Sequence, residues 1–270
     1  MTNMKALIFD VQRNSYVDGP GIRTTVFFKG CNLRCAWCHN PESQSTQKEI
    51  LFYKSKCIGC GRCLGVTADS EDFICFCDAK SICGKVYTVG ELFREISRDV
   101  AFYSSSNGGV TFSGGECMLQ ADFLERILKE CKISGIHTAV DTAGHVPYER
   151  FEQILPHTDL FLYDVKCMDA EKHKKYTGVT NELILENLSR LLKIKWPVWV
   201  RIPIIPTVND TVEEMTAIRD FLKIHGYPER VELLPYHAMG EHKYAAMGTE
   251  APRFSAPDKE KMQQLKNVFN

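Results

Sequence analysis

Two rhythms alternate along most of this 270-residue chain. Near-continuous apolar blocks occupy 109–113, 137–140, 160–165, 198–205 and 231–234. At 89–103, 121–133, 148–155, 181–194 and 211–225, apolar residues instead return at every third or fourth position. The first kind predicts strands buried on both faces, the second helices with one apolar face. In 121–133 that face carries Phe123, Leu124, Ile127, Leu128 and Cys131. An apolar run at 24–28 predicts another strand, and a short one at 4–9 precedes it. Alternating strands and helices predict a parallel sheet covered by helices. Counted from Thr24 there are six such strands, short of the eight that close a barrel. The expected fold is α/β, an open, partial (β/α)6 barrel of the TIM type.

The rhythm stops between 46 and 86, where Cys57, Cys60, Cys63, Cys75, Cys77 and Cys83 stand with little apolar periodicity between them. This stretch reads as a small Cys-rich insertion, with 1–45 and 87–270 forming the barrel. Cys57-x2-Cys60-x2-Cys63 opens like a bacterial ferredoxin run, but Thr67 stands where the fourth cysteine would come. One auxiliary iron–sulfur cluster is expected, its fourth thiolate from downstream. Cys77 is chosen, with Cys75 as the close alternative and a zinc site as the other reading of the same thiols. Near the N-terminus, Asp18-Gly19-Pro20-Gly21 predicts a tight turn, followed by Arg23.

Apolar residues at 44% and charged ones at 25% fit an ordinary globular core. A net charge of -1 disfavours nucleic acid and anionic lipid as partners. No basic start followed by an apolar segment and no membrane-length apolar stretch is present, so a cytoplasmic protein is expected. Nine of the twelve cysteines lie between Cys31 and Cys83. In a reducing compartment, clustering of that kind favours metal over disulfides.

Directly after the 24–28 strand come Cys31, Cys35 and Cys38, spaced C-x3-C-x2-C. Three thiols so close cannot all point into a core, but they can converge on one metal centre. Iron–sulfur clusters usually take four thiolates. Three would leave one iron of a four-iron cluster open, and an open position suggests chemistry rather than structure. A zinc knuckle is the bland alternative. Gly114-Gly115-Glu116, Asp141, Lys166 and His237 all fall at or just past predicted strand ends, where βα barrels handle ligands. Arg201 lies inside its strand. The glycines would let a ligand approach backbone, Glu116 could accept from an ammonium or a ribose, and Lys166 and Arg201 suit a carboxylate. Together they describe a site for a small zwitterion carrying a nucleoside.

C-x3-C-x2-C after a first barrel strand, with Gly-Gly-Glu after the second, resembles the radical S-adenosylmethionine (SAM) superfamily. Asp18–Arg23, Trp37–Glu42, Val110–Glu116, Asp141–Gly144, Tyr163–Lys166 and Leu234–His237 narrow the resemblance to the glycyl-radical-enzyme activating enzymes, relatives of pyruvate formate-lyase activase. The extra cysteines point to the subgroup with a ferredoxin-like insertion. The resemblance implies that Cys31, Cys35 and Cys38 hold a [4Fe-4S] cluster whose free iron binds SAM. It implies Trp37 and His39 beside SAM, Gly114, Gly115 and Glu116 at its amino group, and Lys166, Arg201 and His237 at its carboxylate and ribose, with Asp164 and Val165 in the same set. Asp141, Thr142 and Asp164 match a monovalent-cation site. Reductive cleavage of SAM would give a 5′-deoxyadenosyl radical that takes hydrogen from a backbone glycine of a partner enzyme. A flavodoxin or ferredoxin would supply the electron to a monomeric activase. A radical SAM enzyme acting on a small molecule, and an iron–sulfur electron carrier, are the rival readings. Cys117 stands where relatives carry proline and is expected to pack.

Overall fold

A computed structural model describes residues 4–70, 73–251 and 253–269. The chain opens with an antiparallel pair, β1 (Lys5–Ser15) and β2 (Arg23–Phe28). Between them lies the expected turn, pinned from below by Arg23. That side chain is fully buried, donating to Thr111 Oγ1 at 2.6 Å, Val110 O at 2.5 Å and Pro20 O at 3.1 Å. After the first cysteine loop, β3 (Glu49–Phe52) and β4 (Lys80–Cys83) form a separate antiparallel pair that brackets the Cys-rich stretch. β5 (Lys85–Thr88) then returns to pair with β1.

The remainder winds regularly: α1 (Val89–Ser97), α2 (Val100–Ser106), β6 (Gly109–Gly114), α3 (Ala121–Ile133), β7 (His137–Thr142), α4 (Tyr148–Ile154), β8 (Leu160–Asp164), α5 (Ala170–Thr177), α6 (Glu182–Lys193), β9 (Val198–Ile204), α7 (Val212–His225), β10 (Arg230–Pro235), α8 (Glu241–Ala246) and α9 (Lys259–Lys266). The main sheet runs β10-β9-β8-β7-β6-β2-β1-β5. From β2 to β10 its six strands are parallel, as the apolar blocks predict. Among the described residues β10 and β5 do not pair, so the barrel is open. β1 and β5 extend it by two antiparallel strands that the sequence did not place in the sheet.

Several elements differ from expectation. The stretch 89–103 is two helices, because Asp99 turns inward at the break: its carboxylate accepts from Thr24 Oγ1 at 2.7 Å. Tyr103 then donates to the same threonine at 2.6 Å, tying α2 under β2. α5 and α9 were not expected, being rich in lysine with few apolar positions; Asp169 and Asp258 cap their N-termini. The core lies between sheet and helices, with Phe112 and Phe123 packed edge-on against Phe28.

Candidate active site

The parallel strands deliver the polar residues to one end of the sheet. After β2 the chain closes a ring: Gly30 N–H donates to Ser43 O at 2.6 Å and Cys31 N–H to Gln44 O at 3.2 Å. β6 ends against this ring. Gly115 N–H bonds Phe28 O at 2.9 Å and Glu116 N–H bonds Gly30 O at 2.8 Å. A Cβ on Gly115 would stand 2.2 Å from Gly30 O, so glycine is required here by contact with the cysteine loop itself.

Cys31, Cys35 and Cys38 are half-buried and free. Burial pushes the Cys31 thiol up to about 11 and the Cys35 thiol up to about 12, and raises that of Cys38. Opposing burial, Leu33 N–H reaches Cys31 Sγ at 3.4 Å, and the Asn40 backbone and Gln44 side chain work to lower the Cys38 thiol. Lys166 lowers all three. Donors and a cation aimed at buried sulfurs favour thiolates, the form in which cysteine binds metal. Among the described residues no three His, Cys, Asp or Glu side chains converge as closely as a single ion needs. A donor set of three free thiols on one loop fits an iron–sulfur cluster, whose protein ligands are cysteine thiolates.

Beside the thiols, four charges interlock. Lys166 Nζ bonds Asp164 Oδ2 at 2.7 Å; Arg201 Nη1 lies 3.4 Å from Asp141 Oδ1 and its Nε 3.9 Å from Asp164 Oδ1. Ser113, not singled out from sequence, donates to Asp141 Oδ2 at 2.6 Å. Burial pushes the Asp141 carboxyl up to about 6, with Arg201 opposing and Asp164 adding to the rise. Burial works to lower Lys166 and Arg201, but the two aspartates outweigh it and both cations are held above their ordinary values. Arg201 Nε and Nη1 and Asp164 Oδ1 are buried with no hydrogen-bond partner. Unmet groups of this kind cost about 1–3 kcal/mol each. A ligand carrying both a carboxylate and a cation would satisfy them, which is the chemistry of an amino-acid sulfonium.

Other expected residues make contacts of their own within the fold. The Glu116 carboxylate does not face the site. It is fully buried, accepting from Thr142 Oγ1 at 2.8 and 2.9 Å, Ala143 N–H at 3.1 Å and Met118 N–H at 3.3 Å. The Thr142 hydroxyl also accepts from Gly144 N–H at 2.8 Å. Trp37 is packed against Tyr176 and Phe254, and Val165 lies in the main core. His39 stacks on His237 at 4.1 Å, its Nε2 buried and unpartnered. Cys117 is buried as expected.

In the bracketed stretch, Cys57, Cys60, Cys63, Cys75 and Cys77 line one open pocket. Backbone N–H groups, those of Lys80 and Cys77 foremost, pull the Cys75 thiol down to about 7. Cys77 Sγ lies 3.6 Å away, and Cys83 is buried between Leu51 and Ala246.

The radical SAM superfamily profile matches residues 25–222, and the chain belongs to that superfamily. It is 40% identical to the trans-4-hydroxy-L-proline dehydratase activating enzyme of Clostridioides difficile, across 98% of this chain and 96% of that one. It is 39% identical to the choline trimethylamine-lyase activating enzyme of Oleidesulfovibrio alaskensis, across 93% and 90%. A crystal structure of a domain of pyruvate-formate lyase-activating enzyme from Bacteroides vulgatus is similar at 36% identity and TM-score 0.52, covering 60% of this chain and 92% of that one. Within the superfamily, this chain is an activating enzyme of a glycyl radical enzyme: it cleaves SAM reductively and takes hydrogen from a glycine of its partner. No helix of the described residues is long and apolar enough to cross a membrane.

Proposed function

We propose that Cys31, Cys35 and Cys38 hold the [4Fe-4S] cluster, that Arg201 and Lys166 take the carboxylate of SAM, and that Gly114, Gly115 and Glu116 present backbone rather than side chain. The observation that carries this reading is the set of orphaned polar atoms on Arg201 and Asp164 beside three thiols. When bound, cluster and SAM together supply one electron and a hydrogen-abstracting radical. The protein's own share is to orient and to shield. Asp141 and Asp164 fix the two cations, Asn209 holds the Lys166 carbonyl at 2.8 Å, and the stacked His39–His237 pair walls the ligand. A monovalent cation would take Asp164 Oδ1 and Asp141.

The bracketed stretch, 46–86, is read as an auxiliary unit on the 1–45 and 87–270 barrel. Cys57, Cys60 and Cys63 would bind one further cluster. Cys75, in place of the Cys77 expected from sequence, is the proposed fourth thiolate, since nearby backbone N–H groups pull its thiol down to about 7. Such donors stabilise a thiolate without another cation. This unit would relay electrons from a flavodoxin or ferredoxin to a monomeric, cytoplasmic activase. Relatives at 38–40% identity serve partners named for unlike substrates. We infer that the chain reads the backbone around the partner's glycine, not the partner's substrate.

Cys38→Ala is expected to abolish 5′-deoxyadenosine formation from SAM and dithionite in protein reconstituted without oxygen. Product at the parent rate from that variant would remove Cys38 from the ligand set.

A further inference from the structure

α8 is a six-residue helix wedged between two parts of the molecule. On one side Ala246 packs with Leu51 and Cys83 of the β3–β4 pair. On the other, two of its side chains grip the arm of the cysteine loop that follows Cys38. Lys243 Nζ donates to Asn40 Oδ1 at 2.7 Å and pairs with Glu42 Oε1 at 2.6 Å. Tyr244 O–H donates to the Cys38 carbonyl at 2.9 Å. Gly240, just before the helix, sits so close that a Cβ there would lie 2.7 Å from His39 O.

The gripped arm is also held from behind. The buried Lys29 bonds Glu42 O and Glu49 Oε2, both at 2.6 Å, joining the arm to β3. Glu42 is 5% exposed, too buried to be left without cations at modest cost. Asn40 stands two residues after Cys38, so Lys243 holds the chain just beyond the thiol, and Tyr244 holds the Cys38 backbone directly.

We propose that Lys243 and Tyr244 are positioning residues that fix the direction of the Cys38 thiolate and register the cysteine loop against the Cys-rich stretch. Neither touches SAM or iron in this reading, which rests on Cys38 being a cluster ligand. A lysine in this place does two things that packing alone would not. Its charge neutralises Glu42 inside the fold, and its ammonium fixes the Asn40 side chain two residues beyond Cys38. Unlocked, the arm 39–43 would swing, and with it the one thiolate of the three that lies nearest the auxiliary thiols in sequence.

The test is alkylation of the apo-protein by iodoacetamide, followed site by site by mass spectrometry, so that no loaded cofactor is needed. Losing charge-assisted bonds, Lys243→Ala should label Cys38 about tenfold faster than the parent. Cys117 and Cys131, deep in the core, should keep their slow rates, and Lys243→Arg should restore Cys38 to within about twofold of the parent. Tyr244→Phe removes one neutral bond and should speed Cys38 about fivefold. The proposal is overturned if Cys38 labels at the parent rate in either Lys243→Ala or Tyr244→Phe. It is equally overturned if Cys117 and Cys131 accelerate alongside it, since Lys243 would then serve only general stability. Retained cluster in Cys38→Ala would instead sink the ligand assignment and leave the positioning result standing.

Discussion

Glu116 has the chemistry to bind an ammonium, yet the fold spends its carboxylate on Thr142, Ala143 and Met118. A sequence reading sees a charged residue at a strand end and aims it outward. Three dimensions decide otherwise, because β7 runs beside β6 and brings donors to it. Burial pushes this carboxyl from its ordinary 4.5 up to about 7. It binds a proton more tightly folded than unfolded, so across that window its contribution to stability falls as pH rises. Glu116→Gln carries no such dependence. In urea unfolding of the apo-protein, the variant should gain up to about 3 kcal/mol on the parent between pH 5 and pH 8. An unchanged difference at the two pH values would contradict the burial argument. Lys243 shows the converse, a functional side chain that the sequence could not flag. Asn40, its partner, lies 203 positions away, and nothing local to Lys243 distinguishes it from a solvated helix lysine.

At the scale of elements, the parallel strands and α3 were legible because each carries an apolar pattern of its own period. α3 runs over the expected residues, and β7 differs only in adding Asp141 and Thr142 at its end. Where tertiary contacts set the boundary, pattern was not enough: Asp99 splits one expected helix to reach Thr24. The Cys-rich stretch was legible as chemistry but not as geometry. Spacing alone favoured Cys77, with Cys75 as the close alternative, whereas in the fold the chain bends after Cys75 and backbone N–H groups pull its thiol down to about 7. Asp78 takes a φ of 50° in that bend. Anaerobic reconstitution should therefore give Cys75→Ala with about four fewer irons than the parent, and Cys77→Ala with the parent content. The reverse pattern would return the fourth position to Cys77.

The whole molecule places two thiol sets on either side of a shared arm. The open six-stranded barrel presents Asp141, Lys166 and Arg201 at one end, the β2 loop adds three cysteines, and α8 joins that loop to the bracketed stretch. Order along the chain made the barrel readable, since each strand–helix unit folds beside the last. The join through α8 was not readable, because it closes the molecule from its far end. The central claim is that this assembly takes a hydrogen atom from a partner's glycine. Its most direct test is to incubate reconstituted protein, SAM and a reductant with a candidate partner glycyl radical enzyme from the same organism, labelled with deuterated glycine. Deuterium in the 5′-deoxyadenosine, matched by a glycyl radical signal in the partner, is the predicted result. 5′-Deoxyadenosine free of deuterium, with no radical in the partner, would contradict it.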